Sequence, residues 1–307
     1  MLENSRIVFE QIIIMFLLMA LGFFLFRRDV LDNYMTKKLS TLLTTFVGPC
    51  CIIEAFQREF EPVMAGRLGI SFLTAVVVLV ISMVIANLIY PKSQPDRRNC
   101  IVLTNNGFMA IPLMTAMFGP LGVFLGAGHI VATAIVQWTY AVGQLDANYR
   151  FTPQKVLTTP GVLASLLGLV LFVSPVKLPE TVFSAVTLMA DVNTPLAMLI
   201  LGAYLAQIDW KEMFLDKAVW KTTLIRMLLI PAITVAVLLP IPLDAATKTV
   251  LMVAIAAPTG IITAMFAQMY DSDYLFATRV VGLTTLLSLG LLPGWIAVLS
   301  AALRWIG

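Results

Sequence analysis

Two short stretches interrupt apolar, helix-length runs at nearly the same distance into each half of the chain. They are Thr104-Asn105-Asn106-Gly107-Phe108-Met109-Ala110-Ile111-Pro112 and Ala256-Ala257-Pro258-Thr259-Gly260-Ile261-Ile262-Thr263. Proline lacks an N–H donor and glycine adds backbone freedom, so neither suits an unbroken helix. Where a helix is severed in this way, its second half starts with unpaired N–H groups at the positive end of a dipole, and a carboxylate is a natural guest there. Its first half ends in carbonyls that suit a cation or a water. Asn105, Asn106 and Thr259 add neutral polar side chains, and an amide that both donates and accepts either holds an anion or braces unwound backbone. The spacing predicts a half-helix from about Cys100 to Asn105, a loosened Asn106-Gly107, and a restart near Ile111 with Pro112 in its first turn. Pro258 with Thr259-Gly260 repeats the arrangement.

Ionisable groups in apolar sequence come next. Asp191 and Asn193, in Asp191-Val192-Asn193-Thr194-Pro195, fall a third to halfway through a span. A bare charge at that depth costs roughly 2.5–3.5 kcal/mol or more, which makes Asp191 a candidate for ion or proton coupling. His129, the only histidine, is either a proton carrier or an interhelical hydrogen bonder. Arg226 is expected to snorkel to the interface, with a substrate or Asp191 as the alternative partner. Cys50, Cys51 and Cys100 have neither disulfide nor zinc spacing. There is no Ser/His dyad, no His-Glu-x-x-His and no aspartyl pair, so neither an enzyme nor a metal site is expected.

The elements that must position these residues follow from composition. The chain of 307 residues is 60% hydrophobic and 12% charged, with a mean hydropathy of +0.93; soluble domains carry about 25% charge. At roughly 20 apolar residues per span, ten spans are expected, near 7–26, 38–56, 67–90, 100–118, 120–142, 158–174, 180–206, 219–239, 246–270 and 275–303. The first is expected to stay, because it has no cleavage site behind it. Of the twenty Lys and Arg residues, 13 fall on one set of loops, Lys37, Lys38 and Lys155 among them, and six on the other, with Arg226 inside a span. The positive-inside rule places the richer set in the cytoplasm and both termini outside.

The halves also repeat. Pro49 and Pro195 lie 146 residues apart, as do Pro112 and Pro258, and Thr115-Ala116-Met117-Phe118 returns 148 residues later as Thr263-Ala264-Met265-Phe266. Five spans per half forces the second copy to enter from the opposite side. The expected fold is therefore an all-α polytopic membrane protein of two inverted five-helix repeats, residues 1–146 and 147–307, with broken spans four and nine crossing near the midplane. Gly122-x-x-x-Gly126 and Gly290-x-x-x-Gly294 read as close helix packing.

Asn106-Gly107-Phe108-Met109-Ala110-Ile111-Pro112-Leu113 resembles the fourth-helix motif of the auxin efflux carrier family. The run from Asn193-Thr194-Pro195 to Ala206 resembles its seventh helix. Ala257-Pro258-Thr259 to Tyr270, Ala277-Thr278-Arg279 and Thr284-Thr285-Leu286-Leu287-Ser288 resemble its ninth and tenth. The resemblance implies a scaffold of helices one, two, six and seven, a transport domain of the other six, an elevator-like movement and a homodimer. Bacterial members look like carriers of malonate, malate and related organic anions, and plant members export auxin. The long central loop of many plant members is missing between Gln144 and Leu157, and Gly48-Pro49-Cys50-Cys51 departs from the family's more aliphatic second helix.

The reading is a secondary carrier or facilitator of small organic anions in a bacterial-type cytoplasmic membrane. The candidate substrate contacts are Asn105, Asn106, Gly107, Pro112, Pro258, Thr259, Gly260 and Asn193. Asp191 and His129 are the coupling candidates. No cofactor is expected beyond H+ or Na+ as a coupling ion, and no nucleic-acid partner. The alternatives are a sodium-coupled carrier resembling bile-acid symporters and a ligand sensor that does not transport.

Overall fold

The computed structural model describes residues 2–146, 148–174 and 176–306, with side chains between Glu10 and Trp305. Ala147, at the expected boundary between halves, lies outside the described residues, as do Met1, Gly307 and the side chain of Arg6. The described residues are almost wholly helical, with one isolated antiparallel bridge and no longer strand.

The helices are α1 (Leu2–Arg27), α2 (Asn33–Phe56), α3 (Pro62–Ile89), α4 (Pro95–Val102), α5 (Asn106–Phe118), α6 (Pro120–Leu145), α7 (Pro160–Val173), α8 (Glu180–Leu205), α9 (Lys217–Leu238), α10 (Ala245–Ala256), α11 (Ile262–Met269) and α12 (Tyr274–Ile306). Short turns of helix at Pro153–Leu157 and Trp210–Leu215 lie between them. Seven of these, α1, α2, α3, α6, α8, α9 and α12, are long and apolar enough to cross a membrane. The other three expected spans are not single long helices. The fourth is split into α4 and α5, the ninth into α10 and α11, and the sixth is the 14-residue α7.

Three prolines inside helices share one local solution. Each is preceded by a wide turn in which the N–H reaches five residues back: Leu43–Val47 before Pro49, Asn106–Ala110 before Pro112, and Ile225–Leu229 before Pro231. A proline ring otherwise clashes with the carbonyl four residues earlier, and the wider turn moves that carbonyl aside. The one freed by Pro231 belongs to Met227, and it accepts the Trp295 indole N–H at 2.8 Å. The α-helix itself restarts at Ile111 with Pro112 in its first turn, as expected, and the wide turn Asn106–Ala110 leads into it. Asn105 is the cap, its Oδ1 accepting Phe108 N–H at 3.4 Å, and Pro112 is carried inside α5 by the wide turn.

Glycines set the closest helix contacts. A Cβ on Gly22 of α1 would fall on the Leu199 carbonyl of α8, and one on Gly202 of α8 would fall on the Met19 carbonyl of α1. A Cβ on Gly168 of α7 would meet the Phe56 ring of α2 at 2.8 Å. Helix α1 thus packs along α8 and α2 along α7, while α3 packs along α6 and α12 lies against α9 and α10. The Phe56, Phe124 and Phe172 rings cluster where α2, α6 and α7 meet.

Candidate functional site

The links α4–α5 and α10–α11 cross and are joined backbone to backbone. Asn105 N–H donates to the Pro258 carbonyl at 2.9 Å and Gly260 N–H to the Leu103 carbonyl at 3.0 Å, on either side of the Thr104–Thr259 bridge. Side chains tighten the join. Thr259 Oγ1 donates to the Cys100 carbonyl at 2.8 Å, and Thr259 N–H donates to Thr284 Oγ1 at 3.2 Å. A Cβ on Gly260 would lie 2.7 Å from the Thr104 carbonyl oxygen, so this approach needs glycine. Buried peptide groups at a break must find partners; here each break supplies the other's.

Both restarting helix ends face one cavity of about 430 Å3. Thr104 to Phe108 line it from the start of α5, and Gly260 to Ile262 from the start of α11. The wide turn of α2, with Gly48 and Pro49, forms a second wall. Gln137 and Trp138 enter from another wide turn, in α6, and Lys155 with Thr158 to Val162 brings the start of α7 to the rim. Trp138 Nε1–H donates to Thr159 Oγ1 at 3.0 Å, tying the α6 wall to that rim. Lys155 is the one charged side chain in this lining. Three helix N-termini therefore converge on a cavity whose only formal charge is positive, which favours an anion.

The hydrogen bonds fix what the cavity offers. Asn105 Oδ1 accepts Phe108 N–H, and Asn106 Oδ1 accepts the Thr104 hydroxyl at 2.9 Å. Both amide oxygens are thus occupied by the protein. Asn105 Nδ2 is buried and has no partner. At the crossing itself the polar groups left for a ligand are chiefly N–H donors, whose complement is an acceptor such as a carboxylate, while Gln137 and the Thr44, Thr45 and Thr133 hydroxyls on the other walls can also accept.

His129 is wholly buried behind this wall, its Nε2 3.1 Å from Thr104 Oγ1 and 3.3 Å from Thr133 Oγ1. The Thr104 hydrogen goes to Asn106 Oδ1, and the Thr133 hydrogen to the His129 carbonyl at 2.8 Å. Nε2 must then be the donor to both hydroxyl oxygens, which leaves Nδ1 as a bare acceptor without a partner.

A family model described as a membrane transport protein matches residues 7–149 and again 145–296. The chain belongs to the auxin efflux carrier family. It is accordingly a multi-pass membrane transporter by family. No curated protein matches it.

For this family member the sequence-predicted site divides in two. Asn105, Asn106, Gly107 and Gly260 line the cavity; Pro112, Pro258, Thr259 and Asn193 do not. Pro258 and Thr259 join the crossing, and Pro112 is buried in α5. Asn193 is buried at the middle of α8, in the half that packs on the 106–110 turn, and neither atom of its amide has a partner. Asp191 lies on the exposed face of α8, away from the cavity. No group of three or more His, Cys, Asp or Glu side chains is placed to hold a metal among the described residues.

Arg226 overturns the snorkelling expectation. Its side chain is 1% exposed and turns inward to the crossing. The reason is local: the Ile101, Ile255 and Ala257 carbonyls at the two breaks take up its N–H donors. Lys155, Gln137, Trp138 and Gly161 were not expected at the site.

Proposed function

We propose that this chain is a secondary carrier for small organic anions, a carboxylate being held by the N–H donors at the crossing. The observation that carries this reading is that Oδ1 of Asn105 and of Asn106 each accept from the protein while the starts of α5 and α11 line the cavity. Lys155 and the helix N-termini add the sign, and the apolar walls (Ile52, Phe108, Ile130, Trp138) suit an organic body.

The architecture proposed with it is ten spans in two inverted repeats, 1–146 and 147–307, with α4–α5 and α10–α11 as the broken fourth and ninth. Support comes from the packing. Spans one with seven and six with two are close pairs, and exchanging the halves maps one pair onto the other. The same exchange maps the two crossed links onto each other. Spans one, two, six and seven would then be the scaffold against which the others move in alternating access. An exposed Asp191 at mid-span would face hydrocarbon in a lone protomer, which supports a homodimer that covers this face of α8. His129 is the better coupling candidate, since one hydroxyl, that of Thr104, separates it from Asn106.

The test is Asn106→Ala. Purified protein is screened by thermal shift against mono- and dicarboxylates and indole acids, and uptake of the hit is measured in proteoliposomes against empty vesicles. A hydrogen bond to a charged group is worth about 1.5–3 kcal/mol, so affinity should fall about tenfold to a hundredfold while the unliganded melting temperature stays put. Unchanged affinity removes Asn106 from the site, and flux no greater than that of empty vesicles removes the carrier reading. Orientation is tested separately. A cysteine in place of Lys37 should react with impermeant thiol reagents only from the cytoplasmic side; labelling from outside inverts the topology.

A further inference from the structure

We propose that the Arg226 guanidinium is the resident cation of the crossing, standing where a dissolved alkali ion would otherwise neutralise the two severed C-termini. Nη2 donates to the Ile255 carbonyl at 2.6 Å and the Ala257 carbonyl at 2.7 Å, and Nη1 donates to the Ile101 carbonyl at 3.3 Å. Ile101 and Ile255 are the next-to-last residues of α4 and α10, and Ala257 begins the link that follows α10. Arg226 is the largest of the fully buried side chains, and no carboxylate pairs with it among the described residues.

A buried, unpaired charge is expensive, so its compensation must lie in the backbone. A helix C-terminus carries about half a negative charge. Two of them meeting at one guanidinium come to about one, which matches its single positive charge. The side chain is also held in place: it rises from the wide turn Ile225–Leu229, whose Met227 carbonyl is tied to Trp295. Arg226 does not line the cavity. Its role is to hold the C-terminal ends together so that the N-terminal ends stay aimed at the ligand. The crossing then needs no sodium, and the ligand site keeps its donors in any monovalent salt.

The melting arm of the test stands on the fold alone, and only the uptake arm rests on the carrier reading. Wild type, Arg226→Ala, Arg226→Met and Arg226→Lys are purified and melted in choline, sodium or guanidinium chloride at about 20 mM, far below the molar concentrations that denature. Wild type should melt alike in all three and take up ligand equally in sodium and choline. Arg226→Ala, which leaves a guanidinium-sized hole, should melt lower. Added guanidinium should raise its melting temperature and restore its ligand response, with no such gain in wild type or Arg226→Met. Arg226→Lys should keep uptake within about tenfold of wild type in choline, and Arg226→Met should lose more than that. If Arg226→Ala folds only with guanidinium present, the proposal is supported. Sodium-dependent melting of wild type, wild-type uptake by Arg226→Met in choline, or no selective guanidinium effect on Arg226→Ala would each overturn it. Absent flux in wild type with the melting pattern intact would count against the carrier reading alone.

Discussion

Gly260→Ala is expected to lower ligand affinity at least tenfold and to lower the melting temperature. The added methyl group would stand 2.7 Å from the Thr104 carbonyl oxygen, and that oxygen also accepts Asn106 N–H at 3.1 Å. It belongs to backbone, so nothing flexible can swing away. Relief requires the two links to part, which loosens the Gly260–Leu103 hydrogen bond and moves Thr104, whose hydroxyl orients Asn106 and touches His129. Overpacking of a close-fitted interior costs about 1–3 kcal/mol, and here the displaced atoms are the ones that present the ligand's donors. Gly107→Ala is the control, because a Cβ there meets nothing within 4 Å; it should fold as wild type. Ligand titration followed by melting decides the matter, and an unaltered affinity in Gly260→Ala would mean that the links do not set the site's geometry.

The second large effect is expected at the α1–α8 contact. Gly202→Val places its side chain on the Met19 carbonyl and close to the Phe23 amide nitrogen of α1. Both obstacles are backbone, and the reciprocal contact at Gly22 leaves no room for α1 to slide. The α1–α8 pair should separate, at a cost above the usual 1–3 kcal/mol or so of overpacking, and the protein should elute as aggregate on size exclusion. Gly69→Ala, with open space around its Cβ, should elute unchanged. A monodisperse Gly202→Val with wild-type melting would show that this approach is not needed.

Much of the site was legible because its residues break a rule locally. Proline, glycine and asparagine in the middle of apolar runs mark Asn105, Asn106, Gly107 and Gly260, and all four line the cavity. What was not legible depends on long-range partners. Arg226 looks like an ordinary interfacial arginine because its acceptors are main-chain carbonyls, one of them 125 residues away, and a carbonyl leaves no trace in residue type. Asp191 shows a different limit. Depth along a span can be counted from sequence, but the face it occupies on α8 cannot, because α8 mixes polar and apolar residues on its exposed side. Pro112 stands in the first turn of the α-helix from Ile111, as its residue type suggests, but the wide turn Asn106–Ala110 ahead of it has no such mark in the sequence.

The joining of the two links through main-chain atoms has a mechanical consequence. Pulling α4–α5 away from α10–α11 would strand amides and carbonyls where no water replaces them, at several kcal/mol for each group. In a carrier, then, the ligand's two exposures cannot come from opening this knot. Under the proposed carrier reading, these four helices would travel as one piece, with the sliding surface at the cavity's other walls, along α2 and the start of α7.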